Sequence, residues 1–360
     1  MSSPFQIRRK ALSRLLSSEK LDALVVTHPA SWYYLTGFTG EAGVLIVNSS
    51  GATLITDGRF TTQVREETTS VRLIEQKGSL LESTGRFLQQ KRIRRAGFDP
   101  TQTSVAQLSL LRKASGAATK WIPAPGLVGT LRARKEPAEL ARMRQAAILA
   151  GDVLNDAIAL LKPGVMENEI AAEIEYQMRR RGASGAAFET IVAFGHRSAL
   201  PHARPTSKRL KKNELVVLDL GAILAHYCSD ITRTVHVGRA PSRVKQWYRA
   251  VLEAQTAAIA AVRAGASCGD VDTAARQVLA GYKLDRLFTH STGHGLGLEV
   301  HEDPRVARGQ TARLEPGFVI TIEPGVYMAG VGGIRIEDDV AVHSGSTEVL
   351  TRIPRDLIEL

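Results

Sequence analysis

Two aspartates lie in apolar, strand-like segments of this sequence, where carboxylates are uncommon. Asp219 lies near the end of the run 215–220, and Asp230 lies within the run 227–237. Two such runs joined by a short loop favour an antiparallel hairpin, in which cross-strand neighbours are roughly 4.5–5.5 Å apart at Cβ. A carboxylate in an apolar strand is costly to bury unless it is paired or binds a metal, so this pair can hold one or two cations. The alternative is two solvent-facing aspartates on an edge hairpin.

One histidine and two glutamates occupy comparable positions further along the chain. His294 lies in the glycine-rich segment 292–297, where glycines let the backbone approach a ligand closely. Glu323 ends an apolar run and precedes Pro-Gly, a pair typical of a type II turn. Glu337 lies in a strand-like segment whose period of two puts it on the same face as Arg335. Taken singly, each residue also fits a turn histidine or a solvated strand end.

The chemistry of the set is that of a metal centre. Four carboxylates and one imidazole suit two divalent ions with oxygen-rich ligation, which favours manganese or cobalt over a thiolate zinc site, with zinc as an alternative. Two metals roughly 3.5–4 Å apart form a recognised hydrolytic arrangement, in which a bridging water becomes the hydroxide nucleophile. A second Glu-Pro-Gly tripeptide begins at Glu315, but it follows no strand, so Glu315 is predicted to be a surface turn residue.

The elements that must position these residues fall into two groups. Helical and strand-like segments alternate in residues 1–130, which is typical of an α/β layer. Residues 131–360 open with helices and continue as strand-like runs interrupted by two further helices, which is typical of α+β organisation. We therefore expect two domains with these bounds. Within them, 32–38 is predicted to be an aromatic turn and 334–342 a single strand.

Composition and charge limit the class of protein. The 360 residues are 44% hydrophobic and 23% charged, which suits a globular protein with two cores. No apolar run approaches the roughly 18–20 residues of a membrane span, and the basic N-terminal segment lacks the apolar core of a secretion signal. We therefore expect a cytoplasmic protein without a membrane partner. Two cysteines, Cys228 and Cys268, exclude a disulfide framework. The net charge of +11 comes from scattered basic runs without interleaved aromatics, which disfavours nucleic-acid binding.

Five segments resemble the metal-site motifs of the proline-specific metallopeptidases, which are the prolidases and aminopeptidases P. They are Leu-Asp-Leu-Gly at 218–221, Ser-Asp-Ile-Thr-Arg at 229–233, the glycine-rich stretch 292–302, Ile-Glu-Pro-Gly at 322–325 and Arg-Ile-Glu-Asp at 335–338. The resemblance also covers the N-terminal segments 34–40 and 56–60. It implies an α+β catalytic domain of the pita-bread fold, preceded by a smaller α/β domain of the creatinase/prolidase type.

The resemblance also implies a metal ligand set. Asp219 would bind one metal, and His294 with Glu323 would bind the other. Asp230 and Glu337 would bridge both metals.

Further residues match the substrate site of that family. His202 and His301 match the histidines that hold the peptide and stabilise the tetrahedral intermediate, while Glu323 would be the proton shuttle. Tyr327 and Arg335 match positions near the proline side of the substrate. Arg335 is equally well explained as an ion-pair partner of a metal ligand. Ala203 follows His202 where many relatives have glycine, which leaves the metal site unaffected.

The function implied is dinuclear-metal-dependent hydrolysis of the bond before proline, in Xaa-Pro dipeptides or at the N-terminal residue of Xaa-Pro peptides. The partners implied are small peptides and a second copy of the chain in a homodimer. Prolidase and aminopeptidase P both remain open. The alternative from another class is a non-catalytic binding or scaffold member of the same fold, which the basic charge favours and the intact ligand set disfavours.

Overall fold

The N-terminal part of the chain alternates helices with strands. The computed structural model describes residues 3–360, and the chain divides into two compact units between Arg132 and Ala133. The elements of the first part are α1 (Pro4–Ser18), β1 (Ala23–Val26), α2 (Pro29–Thr36), β2 (Val44–Asn48), β3 (Gly51–Thr56), α3 (Thr61–Glu67), β4 (Arg72–Glu75), α4 (Leu80–Gln90), β5 (Arg95–Phe98), α5 (Val105–Ser115), β6 (Lys120–Pro123) and α6 (Leu127–Ala133).

A mixed sheet forms the centre of the first unit. Its strand order is β4-β3-β2-β1-β5-β6, with β1, β2 and β3 antiparallel and the outer pairs parallel. The predicted aromatic turn at 32–38 is wrong, because most of that segment belongs to helix α2. Pro29 lies in the first turn of α2, and Gly37 ends the helix with a left-handed φ of 83°, so both helix limits have the residues that suit them.

The second unit contains four long helices and many short strands within the described residues. The helices are α7 (Pro137–Ala159), α8 (Glu167–Arg180), α9 (Ser242–Ala261) and α10 (Cys268–Gly281), with short 3₁₀ helices at Gly195–Ala199 and Asp285–Leu287. The strands are β7 (Gly185–Ala186), β8 (Ile191–Phe194), β9 (Leu215–Leu220), β10 (Ala222–Leu224), β11 (Tyr227–Cys228), β12 (Ile231–His236), β13 (Gly293–Gly295), β14 (Glu302–Val306), β15 (Val319–Ile322), β16 (Gly325–Met328), β17 (Gly332–Arg335), β18 (Asp338–Val342) and β19 (Thr347–Val349).

Two helix pairs cover the sheets of this unit. Helices α7 and α8 pack their apolar sides onto the sheet β12-β9-β8, and this contact forms one buried core. Helices α9 and α10 pack onto the sheet β14-β13-β15-β18-β19 and the hairpin β16-β17, and form a second core. The predicted site residues lie in or beside strands of both groups, the one covered by α7 and α8 and the one covered by α9 and α10. Within residues 3–360, no helix combines the length and the apolarity needed to cross a bilayer.

The predicted single strand over 334–342 is wrong in a way that matters for the site. Strand β17 pairs with β16, whereas β18 pairs with β15 and β19, so the chain changes sheets between them. At the break, the Ile336 N–H donates to Pro324 O at 3.4 Å and the Glu337 N–H donates to Thr232 O at 3.1 Å. Glu337 therefore lies at a junction between sheets instead of within a regular strand.

Candidate metal centre

The two aspartates come from the ends of neighbouring antiparallel strands. Asp219 lies in β9 opposite Thr232 of β12, and Asp230 immediately precedes β12. Asp230 is therefore a diagonal neighbour of Asp219 and not its direct cross-strand partner, at a spacing of roughly 7–8 Å. The simple hairpin expected from the sequence is replaced, because residues between the two strands form β10 and β11 in a separate small sheet. The backbone N–H of Asp230 donates to Asp339 Oδ2 at 3.0 Å.

His294 is held in one orientation by the backbone around it. Its Nδ1 lies 3.0 Å from Gly295 O, and since a carbonyl only accepts, Nδ1 carries the proton and Nε2 presents a lone pair. The sequence suggested that the flanking glycines let the backbone approach a ligand, but the atoms closest to them belong to neighbouring backbone. A Cβ at Gly293 would lie 1.8 Å from Thr321 O, and one at Gly295 would lie 2.2 Å from Asp303 O. The glycines thus let β13 pass its neighbouring strands.

Both glutamates are positioned by backbone bonds at strand ends. The Glu323 N–H donates to Thr292 O at 2.8 Å, directly after β15. The Glu337 carboxylate accepts a hydrogen bond of 2.6 Å from the Thr232 hydroxyl. Fully buried Arg233 donates to Glu337 O at 2.6 Å and forms an ion pair with Asp338 at 2.8 Å, which fixes the backbone at the break between β17 and β18.

A cavity of about 270 Å³ collects most of the predicted site residues. Those that line it are Asp219, Asp230, His294, Glu323, Glu337, His202 and His301. Three of them, Asp230, His294 and Glu337, offer ligand atoms that all lie within 4.8 Å of one another. Glu323 Oε1 lies 3.6 Å from His294 Nε2, and Asp219 Oδ2 lies 2.5 Å from the guanidinium of Arg335. Glu315 lies outside this cavity, half-exposed and paired with Arg134.

Burial and like charge oppose the ionisation of three acidic residues of the cavity, Asp230, Glu323 and Glu337. Burial, followed by the charge of Glu337, raises the pKa of Asp230 well above its usual range. Burial, followed by the charge of Glu323, does the same to the pKa of Glu337. Burial raises the pKa of Glu323 to about 8, against the opposing charge of Arg335. Burial lowers the pKa of His294 to about 4, so its imidazole is neutral near pH 7.

These features fit a resident cation. Asp219 Oδ1 and Asp230 Oδ1 are buried and accept no hydrogen bond from any residue in the range 3–360. The His294 Nε2 lone pair faces oxygens of Asp230 and Glu323 at 3.8 and 3.6 Å, and such contacts are unfavourable without a positive charge between them. Carboxylate oxygens and a neutral imidazole are the donors that divalent manganese, cobalt or zinc accept. The residues present therefore fit divalent metal ions.

Arg335 and Tyr327 lie beside the cavity but are not among its lining residues. The buried Arg335 guanidinium donates to Asp219 Oδ2, to the Tyr327 hydroxyl at 2.8 Å and to Pro201 O at 3.1 Å. Of the two roles that the sequence left open for Arg335, these contacts favour that of an ion-pair partner which orients Asp219.

His290 is linked to the site by hydrogen bonds, although no sequence motif singled it out. Its Nδ1 donates to Ser291 O at 2.8 Å, and its Nε2 therefore accepts from the Tyr327 hydroxyl at 2.8 Å. Nδ1 also lies 3.9 Å from Glu323 Oε2, and burial lowers the pKa of His290 to about 4. Its place in the segment that leads to His294 was the available signal.

His202 and His301 lie at the solvent-facing side of the cavity. The His301 ring is 4.4 Å from the His294 ring, measured between centroids. Burial, followed by the charge of His202, lowers the pKa of His301, so the two outer histidines act on each other electrostatically. Both can present N–H groups to a ligand held at the carboxylates.

Two family models match the chain. The model described as Metallopeptidase family M24 matches residues 141–344, and the model described as Creatinase/Prolidase N-terminal domain matches residues 8–134. These matches and the solved structures below confirm the predicted fold class, an α/β domain followed by an α+β pita-bread domain.

Similar proteins match over nearly the whole chain. An uncharacterized peptidase of Bacillus subtilis is 36% identical over 354 residues, which is 98% of this chain and 100% of that protein. The structure of an Xaa-Pro dipeptidase from Bacillus anthracis has a TM-score of 0.95 at 35% identity, and the match covers 99% of this chain and 100% of that one. The structure of an X-Pro aminopeptidase from Thermotoga maritima has a TM-score of 0.88 at 34% identity and covers 97% and 99%.

Proposed function

We propose, because the chain belongs to metallopeptidase family M24, that it hydrolyses the peptide bond before proline, either in Xaa-Pro dipeptides or at the N terminus of Xaa-Pro peptides. The observation that carries this proposal is the convergence of four acidic side chains and one neutral imidazole on one cavity, with two buried oxygens that lack hydrogen-bond donors. The similarity to an Xaa-Pro dipeptidase and to an X-Pro aminopeptidase supports the substrate class.

The five converging side chains would hold two divalent ions, with manganese or cobalt favoured and zinc as the alternative. They are Asp219, Asp230, His294, Glu323 and Glu337. When bound, the ions would supply an acidified water as nucleophile and polarise the carbonyl that is attacked. Thr232 and Asp339 would orient this set, through the Glu337 carboxylate and the Asp230 backbone respectively.

The remaining residues of the site would handle protons and developing charge. Glu323 Oε atoms would take the proton from the nucleophilic water and pass it to the proline nitrogen as that nitrogen leaves. The ring N–H groups of His202 and His301 would donate to the oxygen on which negative charge develops. By resemblance, Tyr327 would lie near the proline side of the substrate, behind the residues that line the cavity, and Arg335 would hold Asp219 in place.

Hydrolysis of matched substrates tests the proposal. Protein stripped of metal and refilled with manganese, cobalt or zinc is assayed on Xaa-Pro dipeptides, Xaa-Pro-Yaa tripeptides and the same peptides with alanine in place of proline. Cleavage of dipeptides alone identifies a prolidase, and cleavage of tripeptides identifies an aminopeptidase P. Equal rates on the alanine peptides, or no hydrolysis with any of the three metals, would contradict the proposal.

The resemblance further supports a homodimer. Analytical ultracentrifugation of the refilled protein gives the oligomeric state directly, and a single species with the mass of one chain would remove this part of the proposal. The cytoplasmic location stays a prediction.

A further inference from the structure

We propose that Glu167 is a positioning residue that fixes the segment 195–206 and, through that segment, the cavity-facing ring of His202. This inference rests on the proposed function, because it concerns one of the residues to which that function assigns charge stabilisation. Glu167 itself lies outside the cavity, at the first position of helix α8. It would act on the reaction only through the backbone that it holds.

The Glu167 carboxylate is buried and accepts several hydrogen bonds. Its exposed fraction is 0%. Oε1 accepts from the Phe194 N–H at 2.9 Å, and Oε2 accepts from the Thr206 N–H at 3.0 Å and from the Thr206 hydroxyl at 2.6 Å. Arg197 Nε lies 3.0 Å from both oxygens. A buried carboxylate with this many donors is a strong local constraint, since hydrogen bonds to charged groups are stronger than neutral ones.

These donors belong to the two ends of one irregular segment. Phe194 ends strand β8, Arg197 lies in the 3₁₀ helix that follows, and Thr206 lies beyond His202. The ends are tied further, because Arg197 Nη2 donates to Arg204 O at 2.5 Å and the Asn168 N–H donates to Thr206 O at 3.1 Å. His202 therefore lies in a loop whose two ends meet at one side chain.

The opposite side of the segment rests on strand β17. The Gly333 N–H donates to Ser198 Oγ at 2.9 Å, and a Cβ at Gly333 would lie 2.3 Å from Ser198 O. Arg335, which also holds Asp219, donates to Pro201 O, the carbonyl immediately before His202. The segment that carries His202 is therefore held on one side by Arg335, which also binds Asp219, and on the other side by Glu167.

The near-isosteric substitution Glu167→Gln tests the effect of the charge and of the number of acceptor oxygens without altering the packing. Glu167→Gln keeps the shape of the side chain but replaces one acceptor oxygen by an NH₂ group, which then faces donors. The backbone bonds of Phe194 and Thr206 cannot both persist with full strength. We therefore expect the segment to loosen while the core beneath α8 stays packed.

Hydrogen exchange tests the loosening without relying on activity. In the intact protein, amide exchange measured by mass spectrometry in residues 194–206 should accelerate about tenfold or more in Glu167→Gln, and exchange in α9 and α10 should not change. Glu348→Gln is a matched control, because it also removes a carboxylate paired with an arginine, Arg144, far from the segment in sequence. Unchanged exchange in 194–206 of Glu167→Gln would overturn the proposal.

A double-mutant cycle tests the route to His202. In the metal-filled protein, Glu167→Gln should lower kcat on the Xaa-Pro substrate by about tenfold to a hundredfold. In a His202→Ala background the same change should lower kcat by less than about twofold, because the group that Glu167 positions is already gone. A loss of equal size in both backgrounds means that Glu167 acts on the fold in general, and it overturns the proposal.

Two provisions keep the outcome decisive. If Glu167→Gln does not fold, both measurements are made on Thr206→Val, because Thr206 is exposed. This change removes the hydroxyl that donates to Glu167 and accepts from the Lys208 N–H at 3.2 Å, and it keeps the Thr206 N–H bond to Glu167. Wild-type exchange and kcat in Thr206→Val would then overturn the proposal. If the unaltered protein cleaves no Xaa-Pro peptide, the proposed function fails, while the exchange result still decides whether Glu167 holds the segment.

Discussion

At the scale of single residues, the environment of Asp230 suits the binding of a cation. Its carboxylate is buried, one of its oxygens accepts no hydrogen bond from the described residues, and its backbone N–H is already held by Asp339. The fold thus fixes the position of Asp230 and leaves its Oδ1 for another partner. An unpaired buried carboxylate costs stability, so the metal-free protein retains an unfavourable residue that a bound ion would satisfy.

The substitution Asp230→Asn should abolish turnover without unfolding the protein. An amide keeps the shape but removes the charge that we propose to bridge two ions, so activity should fall by about 10³-fold or more and bound metal should decrease. Metal-free Asp230→Asn should unfold at the same temperature as the metal-free parent or a higher one, because the amide is less costly to bury. Metal analysis, kinetics and calorimetry measure these effects. Full activity would exclude Asp230 from the mechanism.

His202→Ala should separate metal binding from rate. The residue lies at the exposed side of the cavity and contributes no oxygen to the acidic set, so metal content should stay at the parental value. Loss of one donor to developing negative charge should lower kcat by about 10²-fold. A variant that keeps the parental kcat would show that His202 has no such role, and one that loses metal would place it among the ligands.

At the scale of elements, helix α10 positions the segment that carries His290. Arg276 donates to Phe288 O at 3.1 Å and His290 O at 2.6 Å, and buried Asp272 accepts from both Arg276 and the Thr292 hydroxyl. Glu323 in turn donates its N–H to Thr292 O. Helix α10, which contributes no residue to the cavity lining, thereby fixes the backbone at His290 and Glu323.

Arg276→Met should destabilise the protein and reduce its activity together. It leaves the Asp272 carboxylate buried without its cation, which should lower the free energy of unfolding by about 3 kcal/mol, measured by urea denaturation. The double variant Asp272→Asn/Arg276→Met should recover part of this loss, because no unpaired charge remains. If the single and double variants are equally unstable, the ion pair contributes little beyond packing.

The contact between α7 and β19 predicts a specific pH dependence. The hydrogen bond from Arg144, a residue of α7, lowers the pKa of Glu348 to about 2, against an ordinary value of 4.5. A lowered pKa in the folded state contributes stability that is fully present above the unfolded value and is lost as pH falls through the folded value. The stability difference between the parent and Glu348→Gln should therefore shrink as the pH falls from about 4.5 towards 2. Urea midpoints across this range measure it, and a difference that does not vary with pH would contradict the assignment.

For the whole molecule, metal removal should act on stability as well as activity. A ligand that binds only the folded state stabilises it by about 2.7 kcal/mol when its free concentration is a hundred times Kd. Chelation should therefore lower the unfolding temperature of the unit that begins at Ala133, and added manganese should restore it. Asp230→Asn provides the control, since its unfolding temperature should respond weakly to manganese. The same unfolding temperature with chelator and with manganese would count against a metal centre.

Much of the architecture follows from local sequence signals. Strand β9 matches the apolar run 215–220 that carries Asp219, and helices α7 and α8 open the second unit as expected. The aromatic composition of 32–38 does not reveal helix α2, whose local signals are Pro29 in the first turn and Gly37 at the end. The assignment of individual metal and substrate roles stays a prediction at every position.

By itself the sequence determined which residue types stand at the ends of apolar strands, and hence that carboxylates and an imidazole would be brought out of water by folding. Local preference and burial act over a few residues, so both are readable without coordinates. Only the tertiary structure decided that the chain breaks at Glu337, that glycines beside His294 clear neighbouring backbone, and that His290 joins Tyr327. Each of these depends on contacts between segments far apart in the chain, and such contacts exist only once the strands and helices have packed.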